Sequence, residues 1–291
     1  MEDSAHLTCR ATGPAVALES AVLTSGLPEE ARLSAVERMA AAVAARDVIP
    51  AFTGVIAGQA TVGLTPEELE LLSAHDRKLS TRDLPAAFAR GEHGGTTVAA
   101  TVFLAHRAGL SVAATGGIGG VHPAPGGRDV SADLYELART PIILVCSGAK
   151  AIVDLPATLE RLETLGVTVV GYQTQEFPAF YSAESGLSLA LAADDTEEVV
   201  DIWRRARSIE MPGSLLVCVP PPAAVALSRQ ENEAAVSRAL SDLDMAGIRG
   251  PGVTPFLLGR IAEHTGGRSL EANLGLLENN ASVAASIACL V

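Results

Sequence analysis

Short apolar runs alternate with longer stretches of helical periodicity along most of the chain. The runs are apolar throughout rather than at every second position, which is typical of strands covered on both faces in a parallel sheet. The predicted strands span residues 15–19, 51–58, 111–116, 142–148, 167–172 and 214–220. The predicted helices span residues 29–46, 66–74, 96–108, 132–139, 156–165, 196–208 and 231–246. This alternation predicts an α/β fold with a largely parallel central sheet.

Capping signals and an apolar stripe predict two more helices near the C-terminus. Thr254 is an N-cap candidate followed by a proline, and the glycine pair at 266–267 closes that helix. Ser269 is predicted to cap the last helix, which carries an apolar stripe at helical spacing. The stripe consists of Leu270, Leu274, Leu277, Ala281 and Ala284. We detect no internal repeat or linker, so we predict one domain over residues 1–291, with a flexible N-terminal tail at residues 1–13.

The composition limits the kinds of partner that the chain can have. Of the 291 residues, 48% are hydrophobic, which is enough for a sizeable core, but no apolar stretch has the roughly 20 residues of a membrane helix. The formal net charge is −13, so we expect neither a nucleic acid nor an anionic membrane as partner. The polar start of the chain lacks a secretory signal, and we expect a cytoplasmic protein. The four cysteines are widely spaced, which favours structural thiols over zinc ligands.

Several side chains with catalytic potential follow predicted strands, where ligands of parallel α/β sheets bind. Glu19 ends the first strand, a glycine-rich segment at 116–120 follows the third, and Lys150 lies just beyond the fourth. A lysine is usually a solvated surface residue, but an amine in this position is also a nucleophile that forms an iminium with an aldehyde. Glu19 is equally compatible with a carboxylate that caps the following turn and with a general acid–base group.

The glycine-rich segment is followed by two acidic residues four positions apart. Asp129 is a candidate N-cap of the next helix, whereas Asp133 suggests a hard divalent cation or sugar hydroxyls as its partner. The glycine spacing does not match a dinucleotide fingerprint, because His122 stands where a third glycine would be. We therefore expect neither NAD nor FAD.

The segment before the predicted helix at 96–108 combines glycines with threonines. Its backbone amides and the Thr97 hydroxyl would suit a phosphate at the start of a helix, although Thr96 is also an ordinary N-cap. Lys78, taken alone, is more typical of the surface. These residues are therefore phosphate-site candidates whose role depends on what else lies near them.

Aromatic and amide side chains are the remaining candidates. The aromatic residues of 171–186 either fill the core or form a stacking wall for a planar ligand. They are Tyr172, Phe177, Phe180 and Tyr181. Asn273 and Asn280 lie two turns apart on the last predicted helix, and their amides need partners. Backbone groups, a metal-bound water or a sugar hydroxyl would each serve.

Taken together, these segments resemble the pseudouridine-5′-phosphate glycosidase family. The resemblance is carried, in order, by VALES, KLSTRDLP, GGTTVAAT, ATGGIGGVH, DVSADLYELARTPIILVCSGAK, GYQTQEFPAFY, TPFLLGRIAEHTGGRSLEANL and NNA, and it covers nearly the whole chain from about residue 14. It implies a three-layer α/β/α sandwich and a homotrimer. It also implies chemistry on the carbon–carbon bond between uracil and ribose 5-phosphate, which the family cleaves or, in reverse, forms.

The resemblance implies roles for individual residues as well. Lys150 matches the lysine that bonds covalently to C1 of the ring-opened sugar, and Glu19 matches the proton donor. Asp129 matches the ligand of a divalent cation, usually manganese, and Asn273 matches a site asparagine near that metal. The sugar-phosphate positions are Lys78, Val98, Ser131, Ala132 and Asp133, to which we add Thr97 for its hydroxyl. Asn280 is a further candidate for substrate binding.

The segment after Glu19 departs from the family pattern. The family usually has threonine, histidine, proline and asparagine where this chain has Ala21, Ser25, Glu30 and Arg32, and Thr81 replaces an arginine. We therefore expect a C-glycosynthase that joins ribose 5-phosphate to a planar aromatic acceptor other than uracil, in natural-product biosynthesis. The alternatives are a pseudouridine-5′-phosphate glycosidase with an altered loop and a non-catalytic sugar-phosphate-binding relative.

Overall fold

A computed structural model of the protein describes residues 6–122, 129–248 and 253–291. The strands are β1 (Leu7–Cys9), β2 (Ala15–Glu19), β3 (Ile49–Ile56), β4 (Gln59–Val62), β5 (Lys78–Leu79), β6 (Gly94–Thr96), β7 (Val112–Ala114), β8 (Val121–His122), β9 (Asp129–Val130), β10 (Ile143–Cys146), β11 (Thr168–Tyr172), β12 (Ala192–Ala193) and β13 (Leu215–Cys218). The helices are α1 (Glu29–Ala44), α2 (Pro66–Ser73), α3 (Leu84–Arg90), α4 (Val98–Arg107), α5 (Ala132–Arg139), α6 (Leu155–Thr164), α7 (Thr196–Ser208), α8 (Arg229–Ala246), α9 (Val253–His264) and α10 (Arg268–Ala288). A π-helical turn at Val22–Gly26 follows β2, and a 3₁₀ turn at Thr81–Asp83 follows β5.

Most strands form one sheet, in which most neighbouring strands run parallel. The strand order is β1-β4-β3-β2-β7-β10-β13-β11-β12, with β6 paired to β3 and β5 paired to β6. Every pair from β3 across to β12 is parallel, whereas β4 and β6 run antiparallel to β3. The prediction of an α/β fold with a largely parallel central sheet is confirmed.

Helices cover both faces of this sheet. The chain passes from β2 through α1 to β3 on one side of β2, and it later returns through α4 to β7 on the other side. Because such crossovers are right-handed, the two directions place α1 and α4 on opposite faces. α10 packs against α1 and contacts β2, β7 and β10, whereas α5 packs against α4. The result is an α/β/α sandwich whose strand order reverses between β2 and β7, the place where such sheets bind ligands.

The edge of the sheet near β3 differs from the sequence prediction. The predicted strand at 51–58 ends early, because Ala57 and Gly58 have φ angles of 47° and 76° and turn the chain back into β4. The flexible tail predicted for residues 1–13 is wrong for Leu7–Cys9, which pair in parallel with β4. Backbone hydrogen bonds to the edge of the sheet hold this short segment in place, although its sequence has no strand-like apolar run.

Three helix starts differ from their predicted caps. Ser131, not Asp129, is the N-cap of α5, and its hydroxyl accepts a hydrogen bond from the first turn of the helix. Gly267, with a φ of 85°, precedes α10, so Ser269 lies inside the helix. Thr254 likewise lies within α9. Capping residues are common near a helix start, and the backbone conformation decides which one is used.

The core contains two of the four cysteines. Cys146 and Cys218 are buried neighbours on β10 and β13, whereas Cys9 and Cys289 are exposed. Burial raises the pKa of the Cys218 thiol well above its usual value, and the adjacent Cys146 adds to the rise. Both buried thiols therefore behave as small apolar groups. Across the described parts of the chain, no helix is long and apolar enough to span a membrane.

Asn280 attaches the last helix to the ends of the central strands. Its side chain is fully buried, and its amide nitrogen donates to the carbonyl oxygens of Thr115 (2.9 Å) and Gly116 (3.3 Å), just beyond β7. The hydroxyl of Ser147, just beyond β10, donates to the amide oxygen (3.2 Å). The sequence predicted that Asn280 binds substrate, whereas in the structure its amide binds groups of the protein.

Replacing Asn280 by alanine should destabilise the whole domain. The change leaves the carbonyl groups of Thr115 and Gly116 without their partner, and an unsatisfied buried polar group costs about 1–3 kcal/mol. We expect urea unfolding to report a loss of this size. The matched control, Asn279→Ala on a less buried side of α10, should change the free energy of unfolding by less than about 0.5 kcal/mol. Equal stability of Asn280→Ala and the wild type would contradict the role of this amide.

Candidate active site

The carboxyl ends of β2, β7 and β10 bring an acid, a hydroxyl and an amine to one edge of the sheet. Glu19 is the last residue of β2, and the pairing of β2 with β7 puts Thr115 beside it. The Thr115 hydroxyl donates a hydrogen bond to the Glu19 carboxylate. Lys150 follows β10, and its backbone N–H donates to the carbonyl oxygen of Ile118 (2.9 Å) in the glycine-rich segment. The acid and the amine identified in the sequence thus lie around the point where the strand order reverses.

Glu19 is a buried acid surrounded by other charged side chains, and it is only 7% exposed. Burial raises the pKa of its carboxyl group above the ordinary value, and the negative charge of Asp133 adds to the rise. The positive charges of Lys150 and Lys78 and the hydrogen bond from Thr115 lower the pKa without cancelling the rise. A carboxyl group that keeps its proton to higher pH is suited to general acid catalysis.

Lys78 is the second cation that acts on Glu19, and we call the sheet edge around Glu19, Thr115 and Lys150 the crevice. It belongs to β5, whose pairing with β6 sets it beside Gly95. Lys78 is exposed, yet nearby protein atoms partly desolvate its ammonium group. This desolvation lowers the pKa of Lys78. The charge of Lys150 lowers the pKa of Lys78 further, whereas Asp133 and Glu19 raise it. The charges of Lys150, Asp133 and Glu19 thus all act on Lys78.

The start of α4 offers an unpartnered hydroxyl and backbone amides to an anion. Thr96, a possible N-cap in the sequence, is instead the last residue of β6, and its hydroxyl donates to the carbonyl oxygen of Thr53 (2.6 Å). Thr97 is the N-cap, and its hydroxyl oxygen is buried with no hydrogen-bond partner among the described residues. Val98 is the first residue of the helix. A helix N-terminus of this kind suits a phosphate, so Thr97 and Val98 remain phosphate-site candidates.

The start of α5 is linked to the start of α4 through Asp133. This residue is 5% exposed, and its two carboxylate oxygens accept from the backbone N–H groups of Ala99 (2.9 Å) and Gly119 (2.8 Å). Ser131 and Ala132 precede it as the N-cap and the first residue of α5. The sequence predicted that Asp133 binds substrate, whereas in the structure the carboxylate binds backbone groups of the protein.

Asp129 lies on a separate two-stranded ribbon that borders the crevice. It is exposed on β9, opposite His122 on β8. Burial lowers the pKa of His122, and the charges of Asp129, Lys150, Lys78 and Asp133 all act on it. The described residues contain no group of three or more His, Cys, Asp or Glu side chains that could hold a metal ion. A single exposed carboxylate fits a hydrated divalent cation, which takes most of its ligands from water and from a substrate phosphate.

Asn273 lies two turns before Asn280 on the buried side of α10. It is 7% exposed, and within the described part of the chain no group forms a hydrogen bond with its amide. The amide atoms are not fully enclosed by protein, so they are accessible to a ligand. Asn273 therefore remains a candidate for ligand binding, in contrast to Asn280.

Three of the four aromatic residues of 171–186 fill the core, whereas Tyr172 is half-buried at its border. Phe177, Phe180 and Tyr181 are buried, and the rings of Phe180 and Tyr181 meet edge to face with centroids 4.7 Å apart. Burial also raises the pKa of the Tyr181 hydroxyl far above its usual value. Of the two alternatives that the sequence left open, the structure favours the core over a stacking wall.

Two residues of the crevice were missed in the sequence. Thr115 directly follows β7, but its importance depends on the strand order, which places it next to Glu19. His122 was noticed only as an interruption of the glycine pattern, and its position opposite Asp129 depends on the pairing of β8 with β9. Thr115 could have been identified from the sequence as a polar residue directly after an apolar strand.

Comparison with known proteins identifies the family of the chain. The model of the indigoidine synthase A-like protein family matches residues 6–290. The chain belongs to this family. The pseudouridine-5′-phosphate glycosidase of Chloroflexus aurantiacus is 52% identical over 280 residues, which are 94% of this chain and 92% of that protein. The pseudouridine-5′-phosphate glycosidase of Methylobacterium nodulans is 48% identical over 281 residues, which are 96% and 83% of the two chains. The resemblance to these glycosidases is thereby confirmed.

Two solved structures share the fold. An indigoidine synthase A-like protein from Thermotoga maritima superposes with a TM-score of 0.90 at 37% identity, covering 97% of this chain and 95% of its own. The prealnumycin C-glycosynthase AlnA, solved in complex with ribulose 5-phosphate, has a TM-score of 0.87 at 33% identity, covering 98% and 96%. The proteins that this chain resembles therefore include some named as glycosidases and one named as a C-glycosynthase.

Replacing Glu19 by glutamine should remove most of the catalytic activity. It should also make the folded state more stable relative to the wild type as the pH rises. The folded-state pKa of Glu19 lies above its unfolded-state pKa, so the wild type loses stability between the two values as the pH increases. Glutamine carries no charge and avoids this loss. We expect activity to fall by about 10²–10⁴-fold. We also expect the stability of the variant relative to the wild type to be greater at about pH 8 than at about pH 4.

Urea unfolding at the two pH values measures this difference. The matched control is Glu37→Gln, on an exposed position of α1. If Glu19→Gln differed from the wild type by the same free energy at both pH values, Glu19 would not be the desolvated acid described above.

Proposed function

We propose that the protein is a pseudouridine-5′-phosphate glycosidase, which cleaves the carbon–carbon bond between uracil and C1 of ribose 5-phosphate. The observation that carries the proposal is the juxtaposition of a buried acid, Glu19, with an amine, Lys150, at the reversal of the strand order. Relatives that are 52% and 48% identical over almost the whole chain bear this name. A C-glycosidic bond has no leaving-group oxygen to protonate, so an amine suits it better than the usual pair of carboxylates.

Lys150 is the nucleophile in this proposal. Its neutral amine attacks C1, the bond from C1 to the ring oxygen breaks, and Glu19 gives its proton to that oxygen. The carboxylate of Glu19 then takes a proton from the alkylated nitrogen. The nitrogen lone pair forms a C=N bond with C1 while the bond to uracil C5 breaks, and C5 receives the proton from Glu19. Water adds to the iminium and releases Lys150 as the neutral amine, the proton set free returns to the carboxylate of Glu19, and open-chain ribose 5-phosphate leaves.

The phosphate of the sugar binds at the starts of α4 and α5 in this proposal. The buried Thr97 hydroxyl has no partner among the described residues and the Val98 amide begins α4, so both suit an anion. Ser131 and Ala132 begin the facing helix, and Lys78 brings a positive charge to the mouth of the crevice. A few local groups are sufficient to hold one phosphate on a protein of net charge −13.

We further propose that Asp129 holds a divalent cation, with manganese as the expected metal, and that Asn273 lies near it. When bound, the cation supplies positive charge next to hydroxyl and phosphate oxygens of the sugar. The exposed carboxylate of Asp129 on the ribbon beside the crevice supports this assignment. The homotrimer and the cytoplasmic location implied earlier stay predictions.

A C-glycosynthase for another planar acceptor is the second candidate, although the sequence alone favoured it. The similarity to AlnA and the changed residues after Glu19 support it. The buried rings of Phe177, Phe180 and Tyr181 give no support to a stacking wall for a larger acceptor. Of the changed residues after Glu19, Arg32 bonds to the protein, because its guanidinium group donates to the carbonyl oxygen of Leu27 (3.0 Å). The side chain of Ser25 lies outside the described part of the chain. The juxtaposition of Glu19 with Lys150 argues against a non-catalytic binding protein.

Incubation with pseudouridine 5′-phosphate should release uracil and ribose 5-phosphate. We expect a kcat/KM at or above ~10⁴ M⁻¹s⁻¹, the low end for competent enzymes. Borohydride with ribose 5-phosphate should reduce the iminium and add the sugar to a peptide that contains Lys150, as read by mass spectrometry. Lys150→Ala should lose turnover and the label. The matched control is Lys78→Ala, another lysine of the same crevice, which should keep the label on Lys150.

Two outcomes would count against this proposal in different ways. Slow cleavage together with efficient joining of ribose 5-phosphate to another aromatic ring would favour the C-glycosynthase. A label on a lysine other than Lys150, or full activity of Lys150→Ala, would contradict the assignment of the nucleophile under either function.

Removal of divalent cations should abolish turnover. Chelation followed by addition of manganese should restore the wild type, whereas Asp129→Ala should regain little activity at the same metal concentration because it lacks the carboxylate ligand. Asp76→Ala, another exposed aspartate, serves as the control. Undiminished activity after exhaustive chelation would exclude a metal requirement.

A further inference from the structure

The Asp133 carboxylate bonds to the backbone of two segments that meet at the crevice. One oxygen accepts from the N–H of Ala99 in the first turn of α4, at 2.9 Å. The other accepts from the N–H of Gly119 in the segment between β7 and β8, at 2.8 Å. A carboxylate engaged through both oxygens holds the two peptide groups in a defined relation to each other.

The approach of Gly119 to α5 leaves no room for a side chain. A Cβ atom at Gly119 would lie 2.4 Å from the Ser131 hydroxyl oxygen and 3.0 Å from an Asp133 carboxylate oxygen. Ser131 in turn donates its backbone N–H to the carbonyl oxygen of Gly120 (2.9 Å) and accepts from the backbone N–H of Asp133 (3.2 Å). Asp133 is therefore the centre of a bonded unit that joins α4, α5 and the glycine-rich segment.

We propose that Asp133 is a positioning residue that assembles the phosphate-binding part of the site and is not itself a ligand of the substrate. It acts through α4, whose N-cap Thr97 carries the unpartnered hydroxyl and whose first residue is Val98. A carboxylate in contact with a phosphate would repel it, whereas the amide groups at a helix N-terminus attract it. The inference rests on the proposed sugar-phosphate substrate.

The charge of Asp133 also acts on the acid of the site. Among the charged groups around Glu19, Lys150 and Lys78 lower the pKa of its carboxyl group and Asp133 raises it. Removing the charge of Asp133 while keeping its shape therefore lowers the pKa of Glu19. Because Glu19 acts in its protonated form, the alkaline limb of the pH–rate profile moves to lower pH in Asp133→Asn.

The test compares Asp133→Asn and Asp133→Ala with the wild type in the full chain. Calorimetry measures the binding of two probes, inorganic phosphate and ribose 5-phosphate. In Asp133→Ala both affinities should fall by the same factor, about tenfold or more, and in Asp133→Asn by less, because asparagine keeps one acceptor oxygen. The matched control is Glu136→Gln, a buried acid of the same helix that bonds to Arg139 and Thr140 instead. It should leave both affinities and the pH–rate profile unchanged.

Several outcomes would overturn this role. Weaker binding of ribose 5-phosphate with unchanged binding of inorganic phosphate would make Asp133 a ligand of the sugar hydroxyls. Tighter binding of inorganic phosphate, unchanged affinities, or a wild type that binds neither probe would each refute the positioning role. If Asp133→Ala does not fold, hydrogen exchange is measured in Asp133→Asn instead. The proposal predicts that the backbone amide of Ala99 or of Gly119 loses its protection in this variant, and full protection of both amides would contradict it. Phosphate binding needs no turnover, so this result stands apart from the glycosidase assay.

Discussion

The burial of a carboxyl group among apolar strands is the constraint on which the site depends. β2 is buried along its whole length, and Glu19 ends it where water hardly reaches. An isolated charge in such a place is costly unless it is neutralised or paired. In this protein the pKa of the Glu19 carboxyl group is raised by burial. Thr115 donates a hydrogen bond to the carboxyl group, and the positive charges of Lys150 and Lys78 act on it. The strand order supplies Thr115 and Lys150, because β7 lies next to β2 and β10 lies next to β7, whereas Lys78 comes from β5 at the other side of β2.

Buried polar side chains keep the segments beyond the strands in position. Asn280 holds the backbone that follows β7, and Asp133 holds the start of α4 against the glycine-rich segment. In both cases a side chain provides the partner that buried peptide groups need where no ladder of strand hydrogen bonds continues. Since Asn280 belongs to the last helix, the crevice is complete only when the C-terminal end of the chain has packed on the sheet.

Under the proposed mechanism, one crevice suits both the cleavage and the formation of a C-glycoside. An iminium makes C1 an electron sink, and the same steps run in either direction. Relatives named as glycosidases and a structural neighbour named as a C-glycosynthase can therefore share the fold and differ in what they accept. In that mechanism the acceptor is selected elsewhere, and the segment after Glu19, with its π-helical turn at Val22–Gly26, departs from the family pattern. Irregular helical turns of this kind are frequent at functional sites.

The fold class, the central strands and the groups that end them could be predicted from the amino-acid pattern alone. Apolar runs and the residues just beyond them are local features, so Glu19 and Lys150 could be identified without knowing any contact. The strand β1 and the roles of Asp133 and Asn280 could not, because they depend on which distant segments meet. Asn280 and Thr115, for example, are 165 positions apart in the chain. A buried amide or carboxylate has the same sequence signature whether its partner is a ligand or a peptide group, and only the tertiary structure decides between the two.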